Sequence, residues 1–279
     1  MVFHENPTLI RDLKDNNATA IALHETLIAR GSRAIAYLEA RGVTKQTIAS
    51  FKLGYYPKDS DQGAFTIDLP GEARIPDGLK GSVSIPIYDP YGYCVAISFR
   101  PIDLVPGSKT PKYYNTRFSK KHYLYNMARA KETILQKDLV IIVEGYFDVM
   151  ALDRVGIYNV VATMGTAFGE EKAWVLARYC SSAVIIADND EPGAAAAAKI
   201  EAMLNEAPWN IDTVVKPPPG SYKDIDEFLR GKGPEAVKVL RYWTSADIRS
   251  IAKPEPLNRE LLLKEKIAAA SIGVKEGRI

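Results

Sequence analysis

Six carboxylates fall in three short clusters: Glu144 and Asp148 in VIIVEGYFDVM, Asp188 and Asp190 in VIIADNDEPG, and Asp224 and Asp226 in KDIDEF. Acids gathered in one place repel one another, and a bound divalent cation relieves that repulsion. Oxygen ligands with no nearby His or Cys suit a hard ion, Mg²⁺ or Mn²⁺, and not zinc.

The first two clusters each follow a short run of β-branched residues, which puts their acids at strand ends, where side chains converge on one crevice. The four-residue step from Glu144 to Asp148 straddles a turn at Gly145, so Glu144 is expected at a strand tip and Asp148 in the first turn of a helix. Asp188 and Asp190, two apart on an extended segment, face the same side with Asn189 turned away, and Pro192 and Gly193 begin the next helix. Other roles are open to single members: Asp190 could cap a helix, and Asp148 could complement a helix dipole. Three clusters occurring together on one α/β unit favour the metal site.

A second kind of chemistry lies upstream. From Arg100 to Lys137 there are nine basic residues and two acidic ones, interleaved with Tyr113, Tyr114, Phe118, Tyr123 and Tyr125. Basic groups mixed with aromatics suit a polyanion whose bases can stack, as in single-stranded nucleic acid or nucleotides. The same composition also fits a solvated charged surface with its aromatics in the core.

Strands alternating with helices must position the acids. From residue 138 the chain alternates in this way through KDIDEF, implying a parallel sheet with helices on both faces. Before it, residues 17–50 read as a helix stopped by Gly42 and a second short helix from TKQTIASFKLG. Residues 64–100 have the texture of strands, two of them joined around Asp89, Pro90, Tyr91 and Gly92, with Arg100 delivered at the end of the second. The expected division is a mixed α+β segment over 1–137 that includes the basic stretch 100–137, an α/β module over 138–232, and a helical segment over 233–279.

With 279 residues, 47% hydrophobic and 25% charged, the chain is long enough to bury a sizeable core. Its two cysteines, Cys94 and Cys180, form no CxxC pair, which argues against a zinc ribbon or a disulfide framework within it. No apolar run approaches the roughly 18 residues of a membrane span, and a cytosolic protein with no membrane partner is expected.

The segments EGYFDVMAL, NVVATMGTAF, ADNDEPGAAAA and KDIDEFL, in this order and spacing, resemble the toprim module as it occurs in bacterial DnaG-type primases. The resemblance extends upstream through AIAYLEARGVTKQTIASFKLGYYP, IPIYDPYGYCVAISFRPID and TPKYYNTRFSKKHYLYN, and downstream through LRGKGPEAVKVL, covering about residues 30–250. It implies an RNA polymerase core that makes primers from NTPs on single-stranded DNA. It further implies divalent metal held by Glu144, Asp188 and Asp190, with Asp148, Asp224 and Asp226 as ligands or supporting groups. Arg100, Lys112, Tyr113, Asn115 and Lys120 match positions that contact template or the incoming triphosphate. A replicative helicase and a separate zinc-ribbon module that reads template are the implied partners. Primer synthesis joins a 3′-hydroxyl to an α-phosphate, chemistry served by two divalent ions about 3.5 to 4 Å apart. The alternatives are a toprim-type metal-dependent nuclease or topoisomerase-like enzyme, and a non-catalytic nucleic-acid-binding subunit.

The chain departs from the family pattern at Lys80 and Ser82, where arginines are common, at His122, and at Ser98 and Phe99, which replace glycines before Arg100. These departures bear on nucleotide contacts and leave the acids intact.

Overall fold

The computed structural model describes residues 7–62, 75–104, 111–165, 168–233, 235, 236 and 238. The strand texture expected over 64–74, and the helices expected beyond 238, lie outside these residues. Two compact units divide the chain: Met1–Ser119 with Asn126–Ala128, and Lys120–Tyr125 with Arg129–Ile279.

In the first unit the apolar spacing of residues 17–50 yields three helices, α1 (Pro7–Arg30), α2 (Ser32–Ala40) and α3 (Lys45–Ser50). The sequence reading carried one helix through to Gly42, whereas the first break comes at Gly31. A Cβ there would stand 2.6 Å from the Leu27 carbonyl oxygen, so glycine permits this tight turn between helices. Gly42, at φ +73°, then ends α2. Thr44 starts α3, its side chain accepting from the Thr47 N–H at 3.1 Å.

Strand β1 (Gly54–Tyr56), the short helix α4 (Asp59–Gln62), and strands β2 (Ser82–Tyr88), β3 (Cys94–Pro101) and β4 (Tyr114–Asn115) follow. The strands form an antiparallel sheet in the order β1-β2-β3-β4. The β2–β3 turn falls where the sequence put it, closed by Asp89, whose side chain accepts from the N–H groups of Tyr91 and Tyr93. Helix α1 packs on β1 and β3 over a core that includes Leu23, Tyr56, Ile97 and Phe99.

The second unit alternates as expected. Helix α5 (Met127–Lys137), most of which belongs to it, is followed by β5 (Leu139–Val143), α6 (Tyr146–Arg154), β6 (Val160–Ala162), α7 (Glu170–Ala177), β7 (Ser182–Ile186), α8 (Glu191–Asn205), β8 (Asp212–Lys216) and α9 (Ile225–Lys232). All strand pairs are parallel, in the order β6-β5-β7-β8. Every residue of β5 is buried, which is why this strand reads as a continuous apolar run rather than an alternating one. The chain leaves β5 toward β6 on one side and returns with β7 on the other. The crevice at the carboxyl ends of β5 and β7 is therefore the point where strand order reverses, the place where open α/β sheets bind ligands. Among the described residues, no helix is long and apolar enough to cross a membrane.

Candidate functional site

Glu144 follows the last residue of β5, and Asp188 stands two residues beyond the end of β7. The crevice brings them together: the Asp188 N–H donates to Glu144 Oε1 at 3.3 Å. Their approach depends on Gly193 in the first turn of α8. A Cβ at that position would lie 2.5 Å from the Asp188 carbonyl oxygen and 2.9 Å from Glu144 Oε1, so any larger residue must push the helix away from both acids.

The other four acids sit at helix N-termini. Asp190 caps α8, accepting from the Gly193 N–H at 2.9 Å, while its other oxygen lies 3.6 Å from Lys223 Nζ. Asp224 caps α9 through the Glu227 N–H at 2.7 Å. Asp148, in the first turn of α6, accepts from the N–H groups of Gly145 and Asp226, each at 3.1 Å. Asp226, buried in the first turn of α9, accepts from Arg230 Nε at 3.1 Å. The capping role left open for Asp190 is thus realised, and Asp148 also lies where a helix dipole favours it.

These acids share one electrostatic neighbourhood. Burial pushes the Asp188 carboxyl up to about 7, with Glu144, Asp224 and Asp190 adding to the rise and Lys223 opposing it. Asp148 is driven well above the carboxylate range, first by burial and then by the charges of Asp224 and Asp188. Among the described residues, no three His, Cys, Asp or Glu side chains are already drawn together as a ligand set. The carboxylates are held instead by the local donors just described. The donor chemistry fits a hard divalent cation all the same: every side chain is a carboxylate, and the rise at Asp188, due first to burial and then to its acidic neighbours, is one that such an ion would oppose.

The basic positions are divided between the units. In the first, Arg100 near the end of β3 donates from Nε to the Tyr37 hydroxyl at 2.7 Å, and its guanidinium lies 4.9 Å from the centre of the Tyr113 ring. Burial pushes the Tyr113 hydroxyl up to about 12 despite the opposing charge of Arg100. Asn115 pairs with Ser98 across β3 and β4, and Lys112 is exposed just before β4. Lys120 belongs to the second unit, in a single 3-10 turn over Lys120–His122. That turn is tied to α7 by an ion pair between Lys121 and Glu171 at 2.9 Å.

Sequence reasoning did not single out Tyr37, Lys223, Arg230 or the role of Gly193. A glycine beside five alanines in a helix was the available signal for Gly193, because alanine is the better helix former wherever it fits. Tyr37 gave none, being 63 residues away from the arginine it meets.

Residues 141–229 match a family described as Toprim-like. The DNA primase of Listeria monocytogenes is 29% identical over 255 residues, a match covering 82% of this chain and 40% of the relative. The chain therefore spans well under half the length of that protein. The structure of the Aquifex aeolicus primase, comprising zinc-binding and RNA polymerase domains, superposes with a TM-score of 0.71 at 26% identity, over 90% of this chain and 64% of the other. A DnaG primase catalytic domain bound to single-stranded DNA gives a TM-score of 0.67 at 25% identity, over 84% of this chain and 81% of the other.

Proposed function

We propose, on the premise that this chain belongs to the toprim-containing catalytic cores of bacterial DnaG-type primases, that it is a DNA-dependent RNA polymerase making short RNA primers on single-stranded DNA. The observation that carries this reading is the contact in the crevice between β5 and β7, where the Asp188 N–H donates to Glu144 Oε1 at 3.3 Å and Gly193 allows α8 to close on both residues.

Glu144, Asp188 and Asp190 would hold divalent metal, Mg²⁺ or Mn²⁺, with Asp148, Asp224 and Asp226 as further ligands or as acids that orient them. Bound there, the metal supplies charge neutralisation at the reacting phosphate and a more nucleophilic 3′-hydroxyl. Gly193 lets α8 approach Asp188 and Glu144, and Gly145 leaves room for the Asp148 carboxylate. Arg100 and Lys112 bind phosphate charge, the arginine with a forked geometry and the lysine as a point charge. The contacts of Arg100 with Tyr37 and Tyr113 restrict its rotamers beforehand, so less entropy is lost when it grips an anion. Tyr113 offers a ring on which a base can stack, Asn115 adds hydrogen-bonding capacity on β4, and Lys120 adds positive charge in the second unit. No side chain is assigned as a general base.

Template choice for this chain is assigned to a zinc-binding module of the kind joined to the Aquifex aeolicus polymerase domain, and a replicative helicase is the proposed partner at the fork. The test is incubation with mixed single-stranded DNA templates, NTPs and either Mg²⁺ or Mn²⁺. Short RNA products are expected. Cleavage of labelled single-stranded DNA without NTPs, and no product with them, would replace this reading by a metal-dependent nuclease.

A further inference from the structure

Lys172 is wholly buried inside the second unit, and the proposed chemistry gives it no task. It lies in the first turn of α7, and its Nζ donates to the main-chain oxygen of Thr163 at 3.1 Å. Thr163 opens the turn that leaves β6. In that turn the Thr163 N–H donates to the Val143 oxygen at 3.0 Å, and the Met164 N–H donates to the Glu144 oxygen at 3.1 Å.

The turn is one the chain resists. Met164 has φ +64° and Gly165 φ +66°, and a methionine held in the left-handed region is strained unless its surroundings fix it. Met164 is also buried, so its side chain cannot relax into solvent. The hydrogen bonds to β5 hold the turn from one side, and Lys172 holds it from the other.

An ammonium is a costly group for this purpose. Burial, with the nearby charge of Lys120, pulls Lys172 down to about 8. A leucine or methionine would fill the same space without desolvating a charge, but could not donate to a carbonyl.

We propose that Lys172 is a positioning residue: by pinning the Thr163 carbonyl it fixes the turn that grips the main chain of Glu144, and so keeps that carboxylate where it binds divalent metal. It touches neither substrate nor metal. The inference rests on the assignment of Glu144 as a metal ligand. The adjacent Glu171 ties the same helical turn to Lys121, so one turn of α7 anchors both the end of β6 and the basic 3-10 turn.

The test compares the unaltered chain with Lys172→Met and Gly165→Ala. A Cβ at Gly165 would meet nothing within 4 Å, so alanine there strains the turn through its backbone alone and leaves Lys172 untouched. For each protein, Mn²⁺ binding is measured by electron paramagnetic resonance, kcat and KM for NTPs on single-stranded DNA, and thermal melting. For Lys172→Met, Mn²⁺ affinity and kcat should both fall about tenfold, the range seen when groups supporting metal ligands are removed, while KM for NTPs stays level. Gly165→Ala should shift both quantities in the same direction by less. A lowered Tm with unchanged Mn²⁺ affinity and kcat overturns the proposal, because Lys172 is then only structural. A raised KM at constant kcat also overturns it, since Lys172 then contacts substrate. If Lys172→Met does not fold, Gly165→Ala decides: unchanged Mn²⁺ binding there overturns the proposal. Unaltered protein that binds Mn²⁺ but incorporates no NTP sinks the primer-synthesis reading instead, and the Mn²⁺ comparison still decides the role of Lys172.

Discussion

The parallel sheet of the second unit holds its charge at helix ends, whereas the antiparallel sheet of the first holds Arg100 on a strand between two tyrosines. Asp148, Asp190, Asp224 and Asp226 each lie in the first turn or at the cap of α6, α8 or α9, where unpaired N–H groups and the helix dipole favour a carboxylate. Backbone donors thus hold four of the six acids, Glu144, Asp148, Asp190 and Asp224. A strand end offers a cation no such dipole, so Arg100 is held by a hydroxyl and an aromatic face contributed by distant residues. Anions can be gathered by topology, while this cation needed individually placed partners.

The largest expected effect tests whether the two regions divide the work. Glu144→Gln keeps the shape of the side chain and removes its charge. NTP incorporation should fall at least about 10²- to 10³-fold, the scale of losing a key electrostatic group in an active site. Single-stranded DNA binding, measured by fluorescence anisotropy, should be unchanged. Equal loss of both would break the division.

Gly193→Ala sets helix propensity against the crevice. In an exposed helix the change would stabilise by about 1 kcal/mol. Here the added methyl would meet the Asp188 carbonyl at 2.5 Å, so the helix must move. The expected result is a lower Tm together with turnover reduced by up to about 10²-fold, as small misplacements of reacting groups produce. A raised Tm with full activity would show that α8 does not set the distance between Glu144 and Asp188.

Tyr37→Phe sharpens the other side of the comparison. It removes the acceptor for Arg100 Nε and keeps the ring. Single-strand or NTP binding should weaken by about tenfold, equivalent to about 1.4 kcal/mol, with Mn²⁺ affinity unaltered. An effect on Mn²⁺ would mean that the charge in the two regions is not independently held.

The same contrast explains what could be read from the residues alone. The first two acid clusters are local patterns, each a β-branched run followed by an acid and then a helix start, so the parallel sheet and the places of Glu144 and Asp188 at its strand ends were legible. The surroundings of Arg100 were not, because residues 37, 100 and 113 meet only through tertiary packing. Nor was the break at Gly31, since the apolar spacing of α1 continues into α2 and conceals a turn that depends on contact with Leu27. Lys172 was invisible for a related reason: a lysine after two glutamates reads as solvated surface, and only the fold shows it buried against the Thr163 carbonyl.

The smallest expected effect concerns stability and pH. In metal-free protein Asp188 titrates at about 7 when folded, against an ordinary value of 3.8, and Asp148 shifts in the same direction. Between those pH values the folded state therefore binds protons that the unfolded state has released. The resulting stabilisation is fully present at the acid end and is lost as pH rises toward 7. Lys172, at about 8, holds its charge across this window, and the Tyr113 hydroxyl, at about 12, remains protonated. The Arg100 region should then contribute little to the slope, and the acid crevice most of it. Divalent metal competes with those protons, so the gain in Tm on adding Mg²⁺ should be larger at pH 7.5 than at pH 5.5. Equal gains at both pH values would show that the acids do not act as one electrostatic group, and the contrast between charge gathered by topology and charge held by individual partners would lose its basis.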